Sequence, residues 1–328
     1  MTVTDRQYSA GTVEHSARES ELFSASGKKS GHGIIAWLPA PSYEMPDGPA
    51  WPPPGRPPVI ALLDSGVQPH GWLPSDRNLP FVVDASQHGW QPPVLAGDET
   101  GQSGATYGSH WGHATFIAGL IRQVAPTAQV LSMRVMNSHG KVSEAHAAEA
   151  LSWLAAHPGS AGGIDIDIVL MAFGRQDDPD DHDLEQLRKP IAKLSERGVR
   201  IVASAGNDGA ERPVYPAAFA TEPKLSHRSR RTVVSVGALT TPTERAPYSN
   251  SGPWVAEWRK GTNILSIMPL TTKSTEQPSP GFDPLAAPAP GDGYAWWSGT
   301  SFAAAIAAGQ LAARLPAGQA LPEPAAGP

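Results

Sequence analysis

The chain has 328 residues, enough for one large α/β domain or two small ones, and its 25 basic and 31 acidic side chains give a formal net charge of -6. It contains no cysteine, which excludes a disulfide framework, a thiolate metal site and a cysteine nucleophile. The acidic balance disfavours nucleic acid as a partner, and the basic run HRSRR at 227–231 is expected to be a solvated loop. No apolar run is long enough to predict a membrane span or a secretory signal.

Residues 1–57 are interpreted as a proline-rich N-terminal arm, because they end in the sequence WPPPGRP, which is typical of polyproline structure and cannot join the interior of a sheet. The folded domain is expected at 58–314. It opens with the apolar run VIALL at 59–63, which is typical of a buried parallel strand, and this strand ends in Asp64. Residues 315–328 are expected to form a flexible tail.

Beyond this strand, helices and strands alternate along the chain. Predicted helices span 112–123, 144–157 and 183–197, a further helix starts near residue 300, and predicted strands span 128–135, 164–173, 199–204 and 232–238. Alternation of this kind predicts an α/β fold with three layers, α/β/α, around a central, mostly parallel sheet. Two stretches rich in proline and glycine, at about 84–109 and about 270–293, are expected to be surface loop insertions.

Polar residues lie where several of these elements begin or end: Asp64 after a strand, His113 in the first turn of a helix, Asn207 after a strand and Ser301 at the start of a helix. Ligands of open α/β sheets bind beyond the carboxyl ends of the strands, so one cleft can hold all of these side chains. A histidine can take the proton of a serine hydroxyl, and a buried carboxylate holds the imidazole in the useful tautomer. Taken singly, each residue also fits a helix cap, a turn or a solvated surface, and only the combination favours catalysis.

The surroundings of Ser301 suit acyl transfer. Gly299 permits a sharp turn, and Thr300 is expected to be the N-cap of the alanine-rich helix that follows. The first backbone N–H groups of a helix and the positive end of its dipole stabilise an oxyanion. The side-chain amide of Asn207 can donate a hydrogen bond to the same oxyanion.

The sequences around these residues resemble the motifs of the subtilisin-like serine peptidases. VIALLDSGV around Asp64 resembles the aspartate motif of that family, GHATFIAG around His113 its histidine motif, VASAGNDG around Asn207 its oxyanion-asparagine segment and GTSFA around Ser301 its serine motif. The chain order Asp, His, Ser is also that of the family. The similarity covers about 58–314 and implies a subtilisin-like fold and a serine endopeptidase. By resemblance Ser301 is the nucleophile and His113 the base, while Asp64 orients the base and Asn207 stabilises the oxyanion.

The resemblance also implies a set of substrate-binding residues. The edge that pairs with an extended peptide corresponds to Met171, Ala172, Phe173 and Gly174, and the wall that faces it to Ala205 and Gly206. In the pocket ahead of the scissile bond, the rim corresponds to Asp208 and the floor to Val214. The residue beside the nucleophile is Thr300. Asp208 is expected to attract a basic side chain weakly, with closure of a turn before Gly209 as the alternative. Val214 is expected to shorten the pocket and to penalise the largest aromatic residues.

The histidine motif departs from the family pattern at Ala114 and Phe116, and His110 is a rival for the catalytic histidine. His113 is favoured because its offset from the sequence IAG that follows matches the family, whereas His110 is expected to precede the helix. The chain at 121–125 is too short for the calcium loop of many relatives, so no metal site or other cofactor is expected.

Together these features predict a selective, cytoplasmic processing or regulatory protease that acts on peptide or protein substrates, in peptide maturation or in a defence or signalling module with partner proteins encoded nearby. Neither nucleic acid nor a membrane is an expected partner. One alternative is an inactive pseudoprotease that binds extended peptides. Another is an esterase on an α/β-hydrolase fold, which is disfavoured because that fold orders its triad Ser, Asp, His.

Overall fold

The computed structural model describes residues 7–9, 36–38, 53, 55–95, 110–159, 164–176, 184–269 and 293–315. The rest of the predicted arm, the first predicted insertion beyond residue 95, nearly all of the second insertion and the predicted tail from residue 316 onwards therefore lie outside the described residues.

The described elements alternate between strands and helices as the sequence predicts. In chain order the strands are β1 (Gln7–Ser9), β2 (Ala36–Leu38), β3 (Val59–Asp64), β4 (Val82–Asp84), β5 (Gln129–Arg134), β6 (Lys141–Ser143), β7 (Ile168–Met171), β8 (Arg175–Gln176), β9 (Arg200–Ser204), β10 (Val214–Tyr215), β11 (Val233–Leu239), β12 (Glu257–Lys260), β13 (Ile264–Met268) and β14 (Gly293–Trp297). The α-helices are α1 (His113–Val124), α2 (Glu144–Ala156), α3 (Glu185–Glu196), α4 (His227–Thr232) and α5 (Thr300–Ala313).

A sheet of seven strands, in the order β12-β11-β9-β7-β3-β5-β4, forms the centre of the fold. Every pairing in it is parallel. Its middle strands are buried on both faces, since Ile60 and Leu62 face one core and Ala61 and Leu63 the other. Helices α1 and α5 pack on the first face and α2 and α3 on the second, which confirms the predicted three-layer architecture.

The two edge strands of this sheet, β4 and β12, were not predicted. Both are short, and β12 has the sequence EWRK, which contains no apolar run for a pattern to detect. The predicted strand 164–173 is shorter than expected, since β7 spans only Ile168–Met171, and the Asp167 side chain just before it accepts a hydrogen bond from the backbone of Val59 at 2.8 Å. The basic run 227–231 forms the short helix α4 rather than a loop, capped by the Ser226 hydroxyl.

Two short strands of the predicted arm pair with the domain. β1 is antiparallel to β6, with Tyr8 opposite Val142, and β2 is antiparallel to β14, with Trp37 opposite Ala295. Through β2, the arm completes a second, antiparallel sheet of order β13-β14-β2. Within the part of the chain that the structure describes, no helix is both long and apolar enough to cross a membrane.

Candidate active site

Asp64 ends β3 at the carboxyl edge of the central sheet, and its carboxylate lies against His113, the first residue of α1. Both carboxylate oxygens are 2.9 Å from Nδ1 of His113, and both residues are fully buried. The backbone N–H of Ser65 also donates to Oδ1 of Asp64, at 2.7 Å. A carboxylate in this position keeps the proton on Nδ1 and leaves Nε2 as the basic nitrogen of the ring.

The start of α1 is held on two sides. The Ser65 hydroxyl accepts a hydrogen bond from the backbone N–H of Ala114 at 3.2 Å, and so caps a helix whose N-cap residue, Gly112, has no capping side chain. Opposite, a Cβ at Gly112 would lie 2.7 Å from Met268, so only glycine permits this close approach. Ser65 therefore couples the Asp64 strand to the His113 helix, a role that no local pattern predicted.

The imidazole of His113 is surrounded by aromatic rings. The ring centroids of His110, Trp297 and Phe302 lie 5.3, 5.4 and 5.6 Å from that of His113. Phe116 packs on Phe302 behind them, at 4.5 Å. We call these four residues the aromatic enclosure. His110 precedes α1 and belongs to the enclosure, while the ring nitrogen against Asp64 is that of His113.

Ser301 is the second residue of α5 and is almost completely buried. Its hydroxyl donates to the carbonyl oxygen of Ala172 at 2.9 Å, so the structure does not join it to His113. Nε2 of His113 is buried and has no hydrogen-bond partner among the described residues. A hydrogen bond between the two groups requires the Ser301 side chain to adopt a different rotamer.

Asn207 faces the start of the same helix. Its Oδ1 accepts hydrogen bonds from the backbone N–H and the hydroxyl of Thr300, both at 2.8 Å. Because an N–H can only donate, the atom facing it is the amide oxygen, and Nδ2 points elsewhere. A Cβ built on Gly299 would lie 3.7 Å from Nδ2, which places this donor beside the turn that leads into Ser301.

The predicted N-cap at Thr300 is wrong, because the structure has Gly299 as the N-cap and Thr300 as the first helical residue. The Thr300 hydroxyl bonds to Asn207 and accepts from the backbone N–H of Gly206 at 3.1 Å, so it serves the segment around Asn207 rather than its own helix. Thr300 thus lies beside Ser301 as predicted, but behind it, where it orients the Asn207 amide.

Tyr248 supports the turn from the other side. Its hydroxyl donates to the carbonyl oxygen of Gly261 at 2.8 Å, and the same carbonyl accepts from the backbone N–H of Gly299 at 2.8 Å. Burial raises the pKa of Tyr248 to about 12, so the hydroxyl keeps its proton and remains a donor.

The predicted pocket ahead of the scissile bond is narrowed by Val214. A Cβ added at Gly174 would lie 2.5 Å from one methyl group of Val214, and a Cβ added at Gly206 would lie 3.5 Å from the other. Val214 is buried, so its side chain occupies the space between the two backbone segments.

The segment predicted to pair with a peptide begins inside the central sheet. Met171 is in register with both Leu63 and Ala203 inside the central sheet, and its side chain is part of the core. Ala172 is the first residue beyond this pairing. The side chain of Phe173 also lies in the core, so only backbone groups of this segment are available to a peptide.

Asn250 organises the facing wall, and sequence reasoning assigned it no role. Its Nδ2 donates to the carbonyl oxygen of Ala205 at 2.9 Å, and its Oδ1 accepts from the backbone N–H groups of Asp208 at 3.0 Å and Ala210 at 2.9 Å. Asp208 itself is exposed at the rim. The described residues contain no group of three or more His, Cys, Asp or Glu side chains that could hold a metal ion.

Comparisons with known proteins bear on the family and the fold of the chain. A family model described as the subtilase family matches residues 55–321. The chain is 28% identical over 221 residues to the minor extracellular protease Epr of Bacillus subtilis (strain 168), an alignment that covers 63% of this chain and 27% of that protein. It is 25% identical over 222 residues to subtilisin BL of Lederbergia lenta, covering 65% of this chain and 67% of that protein.

Among solved structures, a lanthipeptide protease superposes with a TM-score of 0.56 at 22% sequence identity, over 79% of this chain and 73% of that chain. At this identity the likeness shows a shared fold. The chain spans little more than a quarter of the length of the Bacillus subtilis relative, at 27%.

Proposed function

The chain belongs to the subtilase family, and we propose that it is a serine endopeptidase that hydrolyses peptide bonds through an acyl-enzyme. The observation that carries this proposal is the contact of the Asp64 carboxylate with Nδ1 of His113, at 2.9 Å. Ser301 and Asn207 lie at the same edge of the sheet, which is where the proposed chemistry needs them.

In the proposed reaction, Oγ of Ser301 attacks the peptide carbonyl carbon while its proton passes to Nε2 of His113, and Asp64 stabilises the imidazolium that forms. The oxyanion accepts hydrogen bonds from Nδ2 of Asn207 and from the backbone N–H of Ser301 at the start of α5. The C–N bond then breaks as His113 gives the proton to the leaving amine. A water molecule repeats the sequence on the ester and releases the acid.

The first step requires the Ser301 hydroxyl to leave the carbonyl oxygen of Ala172, to which it donates at 2.9 Å. In an extended peptide that lies along this edge, a backbone N–H donates to the same oxygen and competes with the hydroxyl. The hydroxyl then turns to Nε2 of His113, whose lone pair can accept its proton. In this way, binding of the substrate favours the hydrogen bond between Ser301 and His113.

We propose a selective processing role, in peptide maturation or in a defence or signalling module. The side chain of Val214 between Gly174 and Gly206 supports selectivity, because it restricts the residue ahead of the scissile bond to small or medium side chains. Asp208 at the rim adds a weak preference for a basic side chain, which salt screens. A structural neighbour is a lanthipeptide protease, a peptide-processing precedent on the same fold.

The proposal extends to a cytoplasmic protease that needs no metal ion and no nucleic-acid or membrane partner, and whose partner proteins are encoded nearby. The lack of cysteine suits a reducing compartment. Since α1 ends at Val124 and β5 begins at Gln129, the link between them has no length for the calcium loop that many relatives carry.

A pseudoprotease that binds extended peptides is the second candidate, and the hydrogen bond from Ser301 to Ala172 rather than to His113 favours it. To decide between the two, the protein is incubated with a mixture of peptides from digested protein, and the products are identified by mass spectrometry. We expect cleavage by wild type and by His110→Ala, and none by Ser301→Ala or His113→Ala. Turnover by Ser301→Ala near the wild-type rate contradicts the proposal, and binding without cleavage by wild type supports the pseudoprotease.

A further inference from the structure

The basic run 227–231, which the peptidase mechanism does not use, lies beside a pocket at the amino edge of the central sheet. This run belongs to α4, and Arg200, Val233 and Glu257 are the first residues of β9, β11 and β12. All three of these residues line a pocket of about 400 Å³ together with residues of α4. The volume falls within the range of about 300–1,000 Å³ that is usual for small-molecule sites. Asn207 follows the other end of β9, so the pocket lies away from the proposed catalytic edge.

Three arginines supply most of the charge of this pocket. Arg230 and Arg231 of α4 and Arg200 of β9 all line it, and the exposed His227 lines it as well. Nη1 of Arg200 donates to the carbonyl oxygen of Arg231 at 3.1 Å, which holds the Arg200 side chain against the end of α4. Burial and, after it, the positive charge of Arg231 lower the pKa of Arg200, while Glu257 opposes this shift. An anion that binds beside these cations relieves the repulsion between them.

The rest of the lining consists of one carboxylate and mainly apolar side chains. Glu257 accepts a hydrogen bond from Nη2 of Arg259 at 2.7 Å, so its charge is shared with a cation that is not part of the lining. The apolar residues include Val233, Pro253 and Trp254. The Nε1–H of Trp254 already donates to a backbone carbonyl oxygen at 3.3 Å, so this side chain offers the pocket apolar ring surface. The pocket therefore combines guanidinium groups with apolar surface.

This composition favours a phosphoryl group over a carboxylate as the anion. A phosphate monoester carries about 1.5 to 2 negative charges at neutral pH and has three acceptor oxygens, whereas a carboxylate carries one charge and has two oxygens. Guanidinium groups bind phosphate oxygens through paired N–H donors. The apolar surface beside the arginines suits the organic part of such a ligand.

We propose that this pocket binds a phosphate monoester, with Arg200, Arg230 and Arg231 around the phosphoryl group and the organic part against Val233 and Trp254. The ligand is a small phosphorylated molecule rather than a peptide substrate, so this second site goes beyond the proposed peptidase function. Because α4 and three strands of the central sheet form the site together, binding should also stabilise the folded protein against unfolding.

Calorimetry with phenyl phosphate tests the proposal, because this probe joins one phosphoryl group to one apolar ring. Inorganic phosphate lacks the ring, and benzoate has a carboxylate in place of the phosphoryl group. At constant ionic strength, we expect phenyl phosphate to bind wild type at one site, with a Kd about tenfold lower than that of either other ion.

Arg228 provides the matched control. It is exposed, lies on the same helix as Arg230 and is not among the residues that line the pocket. Arg230→Gln should raise the Kd of phenyl phosphate about tenfold, whereas Arg228→Gln, which removes the same charge, should change it by no more than about twofold. Glu257→Gln should act in the opposite direction and lower the Kd about threefold, because it removes a negative charge from the lining.

The proposal is overturned if phenyl phosphate shows no saturable binding or if benzoate binds as tightly. Equal effects of Arg228→Gln and Arg230→Gln also overturn it, because they indicate a diffuse basic surface instead of a pocket. If Arg230→Gln fails to fold, Arg231→Gln replaces it, and the three probes still test the site in wild type. Ser301→Ala should bind phenyl phosphate with the wild-type Kd, so a failure of the proposed peptidase function leaves this result unchanged.

Discussion

Asp64 and Asp167 are both buried carboxylates, and they lie at opposite ends of β3. Asp167 accepts hydrogen bonds from the two terminal nitrogens of Arg56 at 2.8 and 2.9 Å and from the backbone N–H of Val59, the first residue of β3, at 2.8 Å. Asp64, at the other end, faces the ring of His113. A buried carboxylate thus lies at each end of β3, and the two carboxylates have different partners.

The difference lies in what the partner can do. Arg56 is permanently charged, and the hydrogen bond to Asp167 together with its charge raises the pKa of Arg56 further, against the opposing effect of burial. This pair is fixed and can only hold the start of β3 in place. The imidazole of His113 has one nitrogen that donates and one that can accept a hydrogen bond, and the second nitrogen has no partner among the described residues. The carboxyl end of the sheet is therefore arranged for chemistry and the amino end for stability.

Among the variants that test this comparison, Asp64→Asn is expected to have the largest effect. The amide no longer holds the useful tautomer of His113 or stabilises its cation, so kcat should fall about 10⁴-fold. The thermal unfolding midpoint should change little, because asparagine has the same shape. Steady-state kinetics on a cleaved peptide, with calorimetric unfolding as the control, measures both. Activity within tenfold of wild type argues against the assigned role of Asp64.

Asp167→Ala should show the opposite behaviour. It leaves Arg56 and the N–H of Val59 without their acceptor, and breaking one side of a buried pair costs about 3–5 kcal/mol of unfolding free energy. Since the Arg56 side chain is 39% exposed, solvent reduces the expected loss to about 2–4 kcal/mol.

Urea unfolding measures this loss, and kcat of the folded fraction should stay near wild type. The double variant Arg56→Met with Asp167→Leu is the control, because removing both partners leaves no uncompensated charge and should cost less. A large loss of kcat without a loss of stability contradicts a purely structural Asp167.

Asn207→Ala tests a smaller contribution at the catalytic end. It removes one donor to the oxyanion, and kcat should fall about 10²- to 10³-fold with little change in KM. Kinetics at saturating and limiting peptide separates the two constants. Parallel losses in both indicate that Asn207 acts through the fold, by way of its hydrogen bonds to Thr300, rather than on the transition state.

The smallest expected effect is that of a chelator. The described residues contain no cluster of three or more His, Cys, Asp or Glu side chains that could hold a metal ion, and the link after α1 is short. EDTA should change neither peptidase activity nor the melting temperature. A large fall in melting temperature reveals a metal site that the sequence did not indicate.

The sequence predicted those features that local patterns encode. The apolar run 59–63 placed Asp64 at a strand end, and the resemblance to the family's histidine motif favoured His113 over His110. It could not predict contacts between distant segments, such as that of Arg56 with Asp167, 111 residues apart. The role of Asn250 also depends on its three-dimensional neighbours.

The conformation of Ser301 was equally beyond sequence reasoning. A motif specifies the residue and its helix, whereas the side-chain rotamer depends on competition between the acceptors Ala172 and His113. The edge strands β4 and β12 were missed for a related reason: short strands at the sheet margin need few apolar residues, so their pattern is weak.

Labelling with a fluorophosphonate probe tests the central claim, that His113 and Asp64 activate Ser301, most directly. Mass spectrometry locates the probe, and time courses give the labelling rates of wild type, Ser301→Ala, Asp64→Asn and a matched Asp167→Asn variant. We predict a label on Ser301 in wild type, none in Ser301→Ala, far slower labelling in Asp64→Asn and a near wild-type rate in folded Asp167→Asn. Folded wild-type protein that leaves Ser301 unlabelled, or equal labelling rates in Asp64→Asn and wild type, would contradict the claim.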